Sequence, residues 1–143
     1  MSDKLQVLIL CTANSARSQM GEGLLRHLAA DQVDVFSAGR APSSVNPFAI
    51  HAMRERGIDI SGQRSDHLER YLGCEFDYVI TVCDSAAESC PLFPGRARRI
   101  HWSFADPAAA TGDEATVLKA FIAVRDGLEK KLRDWLRSHE RQR

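Results

Sequence analysis

The chain has 143 residues, no formal net charge at pH 7 and a pI near 7.0, so its overall charge favours neither nucleic acid nor an anionic membrane surface as a partner. One domain of this length buries most of its apolar surface without disulfides or metal ions as supports, and we expect residues 1–143 to form a single domain. No long apolar run or basic leader is present, which predicts a cytoplasmic protein whose four cysteines are reduced at rest.

The first half of the sequence alternates predicted strands and helices. An apolar run at 5–10 predicts a strand, and residues 18–30 carry apolar side chains at helical spacing. Residues 33–38 alternate like a second strand. Asn46 and Pro47 suit the cap and the first position of a second helix.

The second half continues this alternation. Residues 77–82 are rich in β-branched side chains, which predicts a strand that ends on Cys83. Residues 98–104 are predicted to form a fourth strand. From Asp113 onward, apolar residues recur every three or four positions, which predicts a long amphipathic final helix. Strands alternating with helices imply a parallel sheet covered on both faces, and ligands of such sheets bind at the carboxyl ends of strands.

The loop after the first predicted strand, CTANSARS from Cys11, is predicted to bind an oxyanion. A turn from strand into helix directs backbone N–H groups inward and adds the positive end of the helix. Arg17 offers a planar fork for two oxygens of a tetrahedral anion, and Cys11 is predicted to act as a thiolate nucleophile. We expect Ser18 to donate to this sulfur and Asn14, which tolerates positive φ, to hold the loop. The predicted substrate-binding residues are Thr12, Ala13, Asn14, Ser15, Ala16 and Arg17.

Two further cysteines, Cys83 and Cys90, flank six residues with good helix propensity. In a regular helix their Cα atoms would lie about 10 Å apart, beyond the roughly 7 Å limit for a disulfide, so pairing requires the segment to unwind. Unwinding makes sense if Cys83 first attacks a sulfur in the loop and Cys90 then attacks Cys83, which carries the disulfide outward. Such a relay needs three thiols.

Structural alternatives exist for each of these residues. Cys11 and Cys83 can be strand-end packing, Ser18 a helix cap and Cys90 a surface thiol. Four cysteines and five histidines also suggest a zinc site as an alternative. Zinc knuckles, however, usually pair ligands two to four residues apart in the sequence, and no such pair occurs here. We expect four histidines to lie on the surfaces of helices or strands without a partner: His51, His67, His101 and His139.

The motifs CTANSARSQMGEG, VFSAGR, GIDISGQRSD, VCDSAAESCP and HWSFADPA resemble those of thioredoxin-coupled arsenate reductases, which are built on the low-molecular-weight protein tyrosine phosphatase fold. The resemblance covers nearly the whole chain and implies a four-stranded parallel sheet flanked by helices. It implies that Cys11 attacks arsenate, that Arg17 clamps it, and that Cys83 displaces arsenite to leave a Cys11–Cys83 disulfide. Cys90 then converts this to a Cys83–Cys90 disulfide for thioredoxin to reduce. Family loops usually carry glycine where this chain has Ala13.

The same resemblance assigns further roles. Asp106, before Pro107, matches the acid that protonates a departing oxygen, with a simple Asp-Pro turn as the alternative. Ala108 replaces the aromatic residue usual in the phosphatases, which argues against phosphotyrosine as substrate. Cys74 matches no family cysteine. No cofactor is required, although oxygen ligands that bind potassium in some reductases match Asn14, Glu22, Ser37 and Asp66.

The sequence therefore predicts a cytoplasmic arsenate reductase of the kind that confers arsenical resistance. Its expected partners are arsenate, with phosphate or sulfate as analogues, and thioredoxin or a similar dithiol. One alternative is a phosphatase that uses Cys11, Arg17 and Asp106 while the other cysteines stay idle. The other is an anion-binding redox sensor in which Cys83 and Cys90 report oxidation to a partner.

Overall fold

Four segments form one parallel sheet in the computed structural model of the protein, which describes residues 4–84 and 90–141. The sheet order is 2-1-3-4, so the first and third strands lie in its centre. The strands are β1 (Leu5–Cys11), β2 (Val33–Gly39), β3 (Tyr78–Thr81) and β4 (Arg98–His101). The predicted parallel α/β sheet is confirmed, although β3 and β4 are shorter than their apolar runs suggested.

Three α-helices accompany the strands: α1 (Arg17–Ala29), α2 (Pro47–Glu55) and α3 (Glu114–Arg141). The predicted cap of α2 is confirmed, because Asn46 Oδ1 accepts a hydrogen bond from the Phe48 amide at 2.8 Å and Pro47 opens the helix. Two short 3₁₀ helices complete the described elements, at Leu68–Tyr71 and Pro107–Ala109. In the described part of the chain, no helix is both long and apolar enough to cross a membrane.

The two faces of the sheet are covered differently. All three α-helices pack on the face that presents Val7 and Ile9 of β1, and they bury large side chains such as Met20, Met53 and Phe121 there. In the described residues, the opposite face is covered by the 3₁₀ helix Leu68–Tyr71 and by aromatic side chains; its buried members are Leu8, Leu10, Ala38, Val79 and Phe93. Both faces of the sheet are therefore covered within the described residues, one by the three α-helices and the other by the 3₁₀ helix and the aromatic side chains.

The pairing of β1 with β3 brings two cysteines to one edge of the sheet. Leu10 lies opposite Thr81 in the parallel register, and the Val82 amide still donates to the Leu10 carbonyl at 2.9 Å. Cys11 ends β1, and Cys83 follows β3 by two residues. Both thiols thus lie at the carboxyl ends of neighbouring central strands, where parallel α/β sheets bind ligands.

Candidate active site

The loop between β1 and α1 is held through its carbonyl oxygens. Four of them accept hydrogen bonds from groups outside the turn: Thr12 from Ala41 N (2.9 Å), Ala13 from Ser65 Oγ (3.2 Å), Asn14 from Gln19 Nε2 (2.9 Å) and Ser15 from Asn46 N (2.8 Å). In a trans peptide the N–H points opposite to the C=O, so carbonyls turned outward direct the amides of residues 13–16 toward the inner side of the loop. This orientation supports the predicted anion-binding loop.

Two backbone positions set the shape of this loop. Asn14 has a φ of 48°, and among the described residues it is the one non-glycine residue whose φ is positive. Asparagine tolerates this conformation better than most residues, as we expected from the sequence. Ala13 does not have a positive φ, so alanine in place of the usual glycine costs nothing there. Gly39 lies directly beneath the loop, where an added Cβ would be 2.6 Å from the Thr12 carbonyl oxygen and 2.8 Å from the Asn14 amide nitrogen. Only glycine lets the two backbones approach this closely.

A buried hydrogen-bond chain reaches the sulfur of Cys11. Cys11 is 2% exposed, and its Sγ lies 2.8 Å from Ser18 Oγ. Asn14 Nδ2 donates to Ser18 Oγ at 2.7 Å and to Ser37 Oγ at 3.0 Å. The Ser18 hydroxyl, which accepts from the Asn14 amide, has one hydrogen of its own with which it can donate to the sulfur. Ser18 lies inside α1 and not at its cap, so its hydroxyl faces the sulfur from the first turn of the helix.

Arg17 is buried at the start of α1, with 4% of its surface exposed. Its Nη1 donates to the Phe104 carbonyl at 2.9 Å, so the loop after β4 helps to orient the guanidinium. The Phe104 ring in turn packs on α3, where a Cβ at Gly127 would lie 2.8 Å from the ring. Sequence reasoning missed Phe104 and Gly127; the one signal was a glycine inside an otherwise amphipathic helix.

Asp106 lies on the surface next to this region. Its Oδ1 accepts a hydrogen bond from the Ala108 amide at 3.0 Å and caps the 3₁₀ helix Pro107–Ala109. That contact is the Asp-Pro turn that we considered as the alternative. The loop still borders the anion site because Phe104, two residues earlier, contacts Arg17. The role of Asp106 as an acid stays a prediction.

Cys83 and Cys90 form a disulfide, with their Cα atoms 5.9 Å apart. That distance is within the range for bridging and well below the 10 Å of a regular helix. The predicted helical segment between them falls mostly on residues 85–89, outside the described residues. Cys83 is fully buried, whereas Cys90 is half-buried and lines a cavity of about 310 Å³ with Val79 and Phe93. Those two apolar residues belong to the second face of the sheet, opposite the helices that surround Cys11.

The other two cysteines are free thiols. Cys11 is buried, and Cys74 is exposed in the stretch before β3. The structure places Cys74 beside a different cavity, with Phe76 and Arg98. The set of three site thiols, Cys11, Cys83 and Cys90, stays a prediction.

Oxygen atoms cluster where β2 ends beside the loop. Ser37 donates to Glu22 Oε1 at 2.6 Å and accepts from Asn14, while the Asp66 amide donates to Asn14 Oδ1 at 2.8 Å. The Glu22 and Asp66 side chains are only 12% and 18% exposed. Burial, reinforced by the charge of Asp66, raises the pKa of Tyr71, whose hydroxyl donates to that carboxylate at 3.3 Å. The four predicted potassium ligands therefore form one connected group.

None of the four histidines is buried, as predicted, but the prediction that they lack partners was wrong. His101 Nδ1 lies 2.6 Å from Thr81 Oγ1, and His67 Nδ1 accepts from the Glu69 amide at 3.0 Å. His139 contacts Tyr78, and His51 lies 3.9 Å from Glu55. Parallel pairing of β3 with β4 sets Thr81 opposite His101, a neighbour that spacing along the chain does not reveal.

Residues 6–143 match the low molecular weight phosphotyrosine protein phosphatase family, and the chain belongs to that family. The arsenate reductase of Shouchella clausii is 42% identical over 140 residues, which cover 98% of this chain and all of that protein. The chain therefore belongs with the arsenate reductases of the family.

Solved structures agree with this assignment. One, described as an arsenate reductase in the phosphate binding state, is 31% identical, with a TM-score of 0.76 over 94% of this chain and 98% of the other. The thioredoxin-dependent arsenate reductase of Corynebacterium glutamicum is 27% identical, with a TM-score of 0.75 over 99% of this chain and 65% of the other. The resemblance derived from the sequence motifs is confirmed.

Proposed function

We propose that this protein reduces arsenate to arsenite through Cys11, Cys83 and Cys90. The Cys11 thiolate attacks the arsenic(V) atom, an As–S bond forms, and one oxygen leaves as water. The Cys83 thiolate then attacks the Cys11 sulfur, and the electrons of the breaking As–S bond remain on arsenic, which leaves as arsenite. Finally, the Cys90 thiolate attacks the Cys83 sulfur, and Cys11 leaves as a thiolate.

The observation that best supports this proposal is which cysteines are bonded and which one is free. Cys83 and Cys90 are joined, whereas Cys11 is a free thiol in contact with Ser18. This is the state expected at the end of the relay. Since the disulfide lies toward the second face of the sheet, the earlier Cys11–Cys83 step requires Cys83 to turn toward the loop.

The remaining site residues take the roles that their contacts allow. The inward amides of the loop and the buried Arg17 bind the arsenate oxygens, as they would those of phosphate or sulfate. Asp106 supplies the proton to the departing oxygen. Asn14 holds the loop and Ser18 at once, because its side chain donates to Ser18 and its backbone adopts the positive φ.

The oxidised enzyme needs a dithiol to return it to the starting state. We propose that thioredoxin or a similar reductant attacks Cys90, the more accessible sulfur of the pair, and takes the disulfide by exchange. The three thiols carry the electrons, so the reaction requires no resident cofactor. A chemistry that cycles through free thiols suits the reducing cytoplasm.

We further propose that a potassium ion binds Asn14, Glu22, Ser37 and Asp66. Carboxylate, amide and hydroxyl oxygens suit a hard monovalent cation. The side chains of Asn14, Ser37 and Glu22 are linked by hydrogen bonds, and Asp66 joins them through its backbone amide. These residues adjoin the cysteine loop, so an ion there would stiffen the loop. The midpoint temperature of thermal unfolding should be higher in potassium chloride than in tetramethylammonium chloride at equal ionic strength. Glu22→Gln should abolish this difference.

The relay is tested with a Cys90→Ser variant. We expect it to complete one arsenate turnover and then stop, because a Cys11–Cys83 disulfide accumulates without a resolving thiol. Cys74→Ser is the matched control and should cycle normally with thioredoxin. Any phosphate ester hydrolysis, which does not use Cys90, should be almost unchanged in both variants. Continued arsenate turnover by Cys90→Ser would refute the three-thiol relay, and ester hydrolysis without arsenate reduction in the parent protein would favour a phosphatase.

A second experiment separates the enzyme from a redox sensor. The fully reduced protein is given one equivalent of arsenate without reductant, quenched, and its disulfides are mapped by mass spectrometry. A Cys83–Cys90 disulfide that forms only with arsenate supports the reductase. A disulfide that forms equally without arsenate supports the sensor and contradicts our proposal.

A further inference from the structure

His101 lies beside the disulfide at the carboxyl end of the sheet. It is the last residue of β4, directly opposite Thr81 in β3, two residues before Cys83. One ring nitrogen of His101 and the two sulfurs of Cys83 and Cys90 all lie within 4.8 Å of one another. Three side chains that can ligate a metal therefore converge from the end of β4 and from the segment that follows β3.

We propose that the reduced form of the protein binds a thiophilic divalent cation, with Zn²⁺ as the test ion, through Cys83, Cys90 and His101. Two thiolates and one imidazole suit tetrahedral zinc with water as the fourth ligand. Zinc–sulfur and zinc–nitrogen bonds of about 2.3 and 2.0 Å place pairs of ligand atoms about 3.5–3.8 Å apart. The three side chains reach this spacing by small movements once the disulfide is opened.

The surroundings of His101 fit a ligand role. Its Nδ1 contacts Thr81 Oγ1 at 2.6 Å, which fixes the ring and leaves Nε2 as the nitrogen that we assign to the metal. His101 is exposed and Cys90 half-buried, so a cation can enter from solvent, while the fully buried Cys83 forms the base of the site. Two thiolate charges would balance the two charges of the cation.

The proposed site is linked to the oxidation state of the cysteines. In the disulfide neither sulfur is a thiolate, so the cation has only His101 to bind. Reduction by a phosphine, which takes up the oxygen of one water molecule, converts the disulfide to two thiols. The cation then binds and displaces their two protons. Metal occupancy and disulfide formation are therefore mutually exclusive, whatever the substrate of Cys11, and a bound cation should stall any relay that uses these thiols.

The test measures zinc binding directly. The full chain is reduced with a phosphine, freed of reductant under anaerobic conditions, and titrated with Zn²⁺ against a chromophoric chelator. We expect one Zn²⁺ per reduced chain and none per oxidised chain. His101→Asn, Cys83→Ser and Cys90→Ser should each weaken binding by at least about tenfold, the lower end of the effect of removing even a supporting group.

Two matched controls make the result specific. Cys11→Ser and Cys74→Ser each remove one thiol outside the proposed site and should leave zinc affinity unchanged. Co²⁺ in place of Zn²⁺ should give thiolate charge-transfer absorption in the reduced protein and lose it in Cys83→Ser and Cys90→Ser. Unchanged zinc affinity in folded His101→Asn, equal binding by the oxidised chain, or dependence on Cys11 would each overturn the proposal.

Discussion

Replacing Gly39 by alanine should displace the cysteine loop. The new Cβ would lie 2.6 Å from the Thr12 carbonyl oxygen, 2.8 Å from the Asn14 amide nitrogen and 3.0 Å from the Cys11 carbonyl oxygen. These are all backbone atoms, and an ordinary contact begins near 3.4 Å, so the loop must move by about 0.8 Å. Overpacking of this kind costs about 1–3 kcal/mol.

The displacement should weaken anion binding as well as the fold. A misplacement of about 1 Å in a binding site can cost about a hundredfold, so we expect phosphate affinity to fall by at least about tenfold. Calorimetry measures phosphate binding, and urea denaturation measures the free energy of unfolding.

Gly62→Ala is the matched control, because a Cβ there meets nothing within 4 Å and the backbone does not require glycine. It should bind phosphate normally and be as stable as the parent protein or slightly more so. If Gly39→Ala binds phosphate as Gly62→Ala does, the anion site is not formed by this loop.

Three other predictions concern single contacts. Arg17→Lys should lower phosphate affinity by about tenfold, since an ammonium cannot reproduce the guanidinium fork; equal affinity by calorimetry would exclude Arg17 as the clamp. Asn46→Ala should cost about 1 kcal/mol in urea denaturation, because the Phe48 amide loses its cap. Hydrogen bonds from Arg56 lower the pKa of Glu129 from 4.5 to about 2, so this carboxylate stabilises the fold above pH 4.5 and the gain is lost as pH falls toward 2. Because Arg56 is 34% exposed, we expect Glu129 to contribute about 1–2 kcal/mol to the free energy of unfolding. Glu129→Gln should remove this contribution at pH 7. Urea denaturation at a series of pH values should then show a weaker dependence of stability on pH between 4.5 and 2 than in the parent protein.

Local patterns were sufficient for the elements and for the cysteine loop. The apolar run before Cys11, the cap at Asn46 and the periodicity of α3 each depend on neighbours within a few residues, and each element formed where it was predicted. The contact between Cys11 and Ser18 was also predictable, because a strand-to-helix turn brings residues seven apart in sequence together.

Contacts between distant segments could not be derived in this way. The sequence indicates that Cys83 and Cys90 can exchange disulfides, but their spacing alone argued against a zinc site and left His101 without a partner. Strand pairing supplies the neighbour that spacing does not reveal, because β3 and β4 align Thr81 with His101 next to the two sulfurs. The glycine beneath the loop and the one beneath Phe104 are likewise explained only by the backbone or ring that lies against them.

Sequence alone thus determined where the four strands and three α-helices lie and which cysteine enters the strand-to-helix turn, since short-range hydrogen bonding and hydrophobic periodicity dictate both. Tertiary structure alone decided which histidine faces the disulfide and which carbonyl orients Arg17. Those contacts join residues far apart in the chain, and only the order and register of the strands bring them within bonding distance.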